Sequence, residues 1–210
     1  ATLHYYRLVT LVPSGDGHTS HTVAATIHAS VAAHVCALPL SGPRSTIGQT
    51  AIARGPGEWA VVWADQVDGR QADLYFQRLA DGDLAPVGPR VQVVATDAVS
   101  AIPALYWNGT HYGLFWREGI GGEPGPEAVL TRHFFALLNP DGTKARGDVP
   151  LPTQLGWTAF NFEHTLGWDG THWGLFFGDW TSFPYQRLLY YRLDADGDLV
   201  TGPVELLAPP

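Results

Sequence analysis

The sequence predicts an all-β protein of β-propeller-like design, with three clear four-stranded blades and a diverged N-terminal blade or half blade. Three observations carry this expectation. A phrase recurs along the chain: ARGPGEWAVVW from Ala53, YWNGTHYGLFW from Tyr106 and GWDGTHWGLFF from Gly167. Each copy is followed by a strand-like run ending in a turn, LYFQRLADGD, HFFALLNPDG and LLYYRLDADGD. The equivalent aromatics Trp59, Tyr112 and Trp173 are 53 and then 61 residues apart, a spacing that fits blades of four short strands.

The strand pattern says where these units are buried. Trp59, Val61 and Trp63 share one face of a strand, as do Tyr112, Leu114 and Trp116, and Trp173, Leu175 and Phe177. The other face carries Ala60 and Val62, Gly113 and Phe115, Gly174 and Phe176. Both faces are apolar, so each strand is expected to pack between two neighbouring sheets. The small residue at Ala60, Gly113 and Gly174 is expected to admit the neighbour closely.

Taken in order, residues 1–48 form a diverged N-terminal unit. LHYYRLVTLV reads as strand and PSGDG at 13–17 as a turn. His18 to Leu40 repeats valine or isoleucine every four residues, which fits a helix face or a strand face, and strand is favoured. SGPRSTIGQ at 41–49 reads as a loop. The repeats then run over 50–96, 98–152 and 157–207, one continuous domain of 1–210 with insertions at 119–127 and 179–186. Within the first repeat the strands are TAIAR, EWAVVWAD, DLYFQRLA and RVQVVA. The aspartate-glycine pairs after the third strand are expected to form tight type I′ hairpin turns.

Composition narrows the partners. A formal charge of −8 with 12 Lys and Arg and no basic run argues against nucleic acid. No apolar stretch is long enough to span a membrane. Cys36 is the only cysteine, so no intrachain disulfide forms. The chain begins at Ala1 and holds no methionine, which fits a processed N-terminus. With Lys144 as the one lysine, these features favour an exported protein.

Residues 50–207 resemble the tandem repeats of bacterial secreted and surface proteins, W-[ND]-G-x-x-[YW] followed by a D-G turn. Trp107-Asn108-Gly109 and Trp168-Asp169-Gly170 match the opening, and Arg54-Gly55-Pro56-Gly57 departs from it. The resemblance implies an extracellular β-propeller and no particular activity. Three repeats fall short of the roughly 4–8 blades of a closed ring. A diverged fourth blade in residues 1–48, pairing of two chains, or a longer parent chain would each close it.

Candidate sites follow from residue type. Trp157, Trp180, Phe183 and Tyr185 fall outside the strand pattern and are expected in loops, as platforms for a sugar or a protein partner. His111 and His172 occupy matching positions where the first repeat has Glu58, either as a ring of imidazoles or as polar residues beside a turn. His18, His21, His34 and Cys36 offer copper or zinc ligands, although H-x-x-H alone is a weak signal against a solvated polar stretch. Asp194, Asp196 and Asp198 resemble a calcium loop, but a repeated D-G at one position is more often hairpin chemistry. Asp65, Glu118 and Asp179 end the second strand of each repeat, and a carboxylate repeated three times more often ties blades together than performs chemistry. No G-x-S-x-G elbow is present.

On these grounds the leading expectation is an exported, non-enzymatic binding or scaffold domain recognising a glycan or a protein of a surface assembly. A metal-binding protein using the His-rich segment and a small glycoside-processing enzyme are the alternatives. No cofactor is required by the first reading.

Overall fold

The computed structural model describes residues 9–14, 17–22, 45–67, 72–119, 131–152, 164–182 and 185–207. The chain forms two compact units, Ala1–Ala37 and Leu38–Pro210. In the first unit β1 (Val9–Ser14) pairs antiparallel with β2 (Gly17–Thr22), so that Ser14 faces Gly17 across the expected turn.

The second unit holds three four-stranded antiparallel meanders. The first is β3 (Ser45–Arg54), β4 (Glu58–Val67), β5 (Asp73–Ala80) and β6 (Pro86–Val94). The second is β7 (Val99–Trp107), β8 (Tyr112–Gly119), β9 (Thr131–Leu138) and β10 (Lys144–Leu151). The third is β11 (His164–Trp168), β12 (Trp173–Ser182), β13 (Tyr185–Leu193) and β14 (Leu199–Leu207). These are the three four-stranded repeats that the sequence predicts. The segment 45–49, read as loop, is instead the start of β3, where Ser45 and Thr46 pair with Val67 and Gln66. Its β-branched residues and pairing partners outweigh the turn signal of Gly42-Pro43.

The expected two-sided burial explains how the sheets stack. Ala60, Val62, Leu74 and Phe76 of the first blade share one core with Tyr112, Leu114 and Trp116 of the second. Phe115, Phe135 and Leu137 of the second share another with Trp173, Leu175 and Leu166 of the third. One face of β8 thus packs backwards on the first blade and the other forwards on the third. Tyr112 meets Phe76 edge-on at 5.5 Å between ring centroids, and Trp173 meets Phe135 at 5.4 Å. Burial pushes the Tyr112 hydroxyl up to about 12, with the Glu58 charge adding to it.

Gly113 shows why a small residue is needed. A Cβ there would lie 2.6 Å from the Trp173 ring, which is held by its own neighbours. Gly113→Ala is therefore expected to cost about 1–3 kcal/mol through overpacking, read as a lowered midpoint in thermal or urea unfolding; an unchanged midpoint would mean that the blades separate easily there.

The turns after each third strand depart from the tight type I′ form. In 139–143 the Gly142 N–H donates to the Asn139 carbonyl, and the Asn139 N–H donates to that of Thr143. Gly142 takes the positive φ of 87°. This is a longer loop built around a four-residue turn. Asp141 organises it by accepting the Thr143 N–H at 2.9 Å and hydroxyl at 2.6 Å, bonds that hold its carboxyl below the usual range.

Candidate active site

The inner edge of the stack is set by the first strands, since β7 neighbours β3 on one side and β11 on the other. The two ends of these strands differ in chemistry. One end carries the hairpins joining first strand to second, and here His111 and His172 are found. Asn108 Oδ1 accepts the N–H groups of Thr110 and His111, and Asp169 Oδ1 accepts those of Thr171 and His172, at 2.7–2.8 Å. Backbone donors from Thr171 and His172 pull the Asp169 carboxyl down to about 2. His172 Nδ1 is 2.9 Å from Arg192 and 2.7 Å from the Thr171 hydroxyl. The backbone of both histidines is held in these turns, at matching positions of the second and third blades.

The opposite end gathers polar side chains that the core has to accommodate. Asp65 and Glu118 are buried, each two residues after a buried tryptophan. Trp63 Nε1 donates to Asp65 Oδ2 at 3.4 Å, and Trp116 Nε1 donates to Glu118 Oε1 at 3.4 Å. Arg90 approaches Asp65 at 3.5 Å and lies over the Tyr75 ring at 4.4 Å. Among the described residues, Asp65 Oδ1 and the buried Ser100 hydroxyl have no hydrogen-bond partner. Ser100 stands across the ladder from Glu118, and its N–H donates to the Ala72 carbonyl of the preceding blade at 2.8 Å. The bonds that these two carboxylates accept lie within a blade, where ties between blades were expected.

Between the second and third blades lies a second polar group. Arg117 pairs in register with His133, and His133 stacks on Phe115 at 5.5 Å. His164 opens β11 and meets Phe115 edge-on at 4.9 Å. Burial holds the His164 imidazole down at about 4, against a hydrogen bond with the Pro103 backbone that raises it. Burial also lowers the Arg117 guanidinium below its ordinary value. Pro103 follows Ile102, a buried β-branched residue at φ 53°, in the stretch where β7 shifts register between Ala101 and Ala104. Such a conformation costs about 1–3 kcal/mol and collects at functional sites.

The remaining sequence-selected residues are placed as follows. Trp180 lies within β12 and Tyr185 opens β13, where Ser182 pairs with Tyr185; neither belongs to a loop. The hairpin continues outward past a register shift between Asp179 and Ser182 because aromatic and β-branched residues favour pairing. Their side chains and that of Asp179 lie outside what is described, as do Trp157 and Phe183. So do His34, Cys36 and the side chains of His18 and His21, whose backbone belongs to β2. Asp194 Oδ1 accepts the Asp196 and Asp198 N–H groups, and Asp198 pairs with Arg146 of the second blade. Asp194 shapes a turn and Asp198 links two blades. Among the described residues no group of three His, Cys, Asp or Glu could hold a metal.

Arg117, His133 and Ser100 escaped the sequence reading. A signal existed. At the Arg117 position the other copies have Ala64 and Gly178, and at the His133 position Leu74 and Leu188. The second blade alone places an arginine and a histidine where the pattern calls for small or apolar residues.

No protein-family model and no curated protein matches the sequence. Solved structures do match. The chain is similar to a GH43B protein of a xyloglucan PUL from Bacteroides ovatus, at 14% identity and TM-score 0.51, over 94% of this chain and 38% of that one. It is also similar to an exo-1,5-α-L-arabinanase from a bovine ruminal metagenomic library, at 12% identity and TM-score 0.45, over 93% and 69% of the two chains. The first likeness places the three sheets as blades of a propeller. The chain spans 38% of that structure's length, well under half. The likeness to the GH43B protein counts against the expectation of a non-enzymatic binding or scaffold domain and favours the glycoside-processing alternative. No helix among the described residues is long and apolar enough to cross a membrane.

Proposed function

We propose that this chain forms blades of a glycoside-processing enzyme, with the sugar meeting the end at which β7 begins and β8 ends. The observation that carries this reading is the concentration of buried polar groups and backbone strain at that one end. Ser100, Glu118, Arg117, His133, His164 and the Ile102 bulge collect there, whereas the Asn108 and Asp169 side chains at the hairpin end are taken up by their own turns. Folding alone gives no reason to bury polar side chains so selectively. The propeller likeness to a glycoside hydrolase supports the reading, and export would suit a polysaccharide substrate.

Glycoside hydrolysis uses carboxyl groups as acid, base or nucleophile. Glu118 is the carboxylate placed beside Ser100 and one residue from the Arg117–His133 pair. Replacing it with glutamine keeps the shape and an oxygen for the Trp116 indole. Glu118→Gln is expected to lower hydrolysis of xyloglucan oligosaccharides and aryl glycosides by about 100-fold or more, with the thermal midpoint nearly unchanged. Equal losses of activity and stability would make Glu118 a packing residue. Absence of sugar release by the unmodified protein across a panel of neutral polysaccharides would overturn the reading.

A further inference from the structure

Two blade junctions are complete, and their parts recur at the two ends of the stack without a partner among the described residues. The receiving face of a blade is a row of three cross-strand neighbours. In the first blade it is Val62, Phe76 and Val91, and in the second Phe115, Phe135 and Val149. The same row in the third blade is Phe176, Tyr190 and Val204. Phe76 and Phe135 are 0% exposed, while Phe176 is 36% and Val204 37% exposed.

The inserting face repeats in the same way. Tyr112 and Trp173 are its aromatic knobs in the second and third blades, with Leu105 and Leu166 beside them, each 8% exposed. In the first blade the knob is Trp59, whose ring meets the guanidinium of its own Arg54 at 5.4 Å. Ile52 takes the place of Leu105 and Leu166 in register and is 59% exposed. The turn glycines agree. A Cβ on Gly142 would lie 2.3 Å from Phe76 and one on Gly197 2.9 Å from Phe135, whereas Gly82 faces open space.

We propose that the receiving face of the third blade, Phe176–Tyr190–Val204, takes the inserting face of the first blade, Ile52–Trp59, of a second copy of this chain. The occupant is a second copy because both halves of the missing junction are carried by one chain, in the geometry of the two filled junctions. Such a contact joins unlike surfaces head to tail, and it either closes or propagates. Closure with two copies brings six blades together, within the roughly 4–8 of known rings. Head-to-tail union also continues the row of first strands, and with it the end that bears the polar cluster.

Native mass spectrometry and sedimentation over a dilution series test the proposal. The unmodified chain is expected to form a dimer that dissociates on dilution. Ile52→Lys and Phe176→Lys are each expected to give monomers, because a lysine in either face leaves a charge in an apolar contact. An equimolar mixture of the two variants is expected to recover a dimer through its one intact junction. Both positions are exposed, so circular dichroism and thermal midpoints should be preserved; if Phe176→Lys unfolds, Val204→Lys replaces it. A monomer at every concentration, a dimer indifferent to both substitutions, or a mixture that stays monomeric would each overturn the proposal. A monomer with Trp59 shielded from fluorescence quenchers would assign the face to another part of the same chain.

Discussion

Trp173→Ala is expected to destabilise the Leu38–Pro210 unit by about 3–5 kcal/mol, the range for removing a large aromatic from a core. The ring is fully buried. It packs on Trp168 at 4.9 Å, Phe135 at 5.4 Å and Tyr106 at 6.5 Å between centroids. It also fills the space that Gly113 leaves open, so no flexible neighbour can collapse into the hole. Trp173→Phe should cost far less. The indole Nε1 is buried without a hydrogen-bond partner among the described residues, so phenylalanine removes an unsatisfied donor while keeping an aromatic face. Urea unfolding of the two variants beside the parent checks the claim. Similar losses for both would show that volume at this junction matters little.

Trp173 also marks how much of the architecture could be read in advance. Its match with Trp59 and Tyr112 defines the repeat, and the alternation around it defines which face packs forward. Strand identity and two-sided burial follow from these local rules, because a period of two needs no knowledge of distant partners. The limits of strands were less legible. Trp180 and Tyr185 lie beyond the repeated phrase, yet pairing with each other's strand extends β12 and β13 past the copied pattern. The turn form was misjudged because aspartate-glycine signals a positive φ without fixing loop length. Asp141 and Asp194 decide that length by capping backbone donors two and four residues on.

The candidate site was harder to see for a different reason. Arg117 and His133 face each other on neighbouring strands of the second blade, and His164 joins them only where the third blade packs. What each contributes depends on burial, which residue type alone does not state. The repeated histidines drew attention because they recur, yet recurrence reflects a shared turn. The informative residues are those that break the repeat. Arg117 stands where its counterparts are Ala64 and Gly178, and that difference survives when the structure is laid over the sequence.

His164 supplies the second large effect, and its sign can be worked out. An unfolded chain holds the imidazole near 6.5, whereas burial between the blades lowers it to about 4. The unfolded state therefore binds a proton more readily than the folded state over that interval. Stability is fully present above pH 6.5 and is lost progressively as pH falls towards 4, by about 3 kcal/mol across the whole interval. Phe115 and the blade contact resist solvation of the charged ring, and the nearby Arg117 opposes the added charge. His164→Gln keeps a donor for the Pro103 carbonyl and cannot titrate. Thermal midpoints measured from pH 7.5 to 4.5 should fall more steeply for the parent than for the variant, and the two curves should converge toward low pH. Parallel curves would mean that water reaches the imidazole freely, and that the second and third blades are less tightly joined at the polar end than at Trp173.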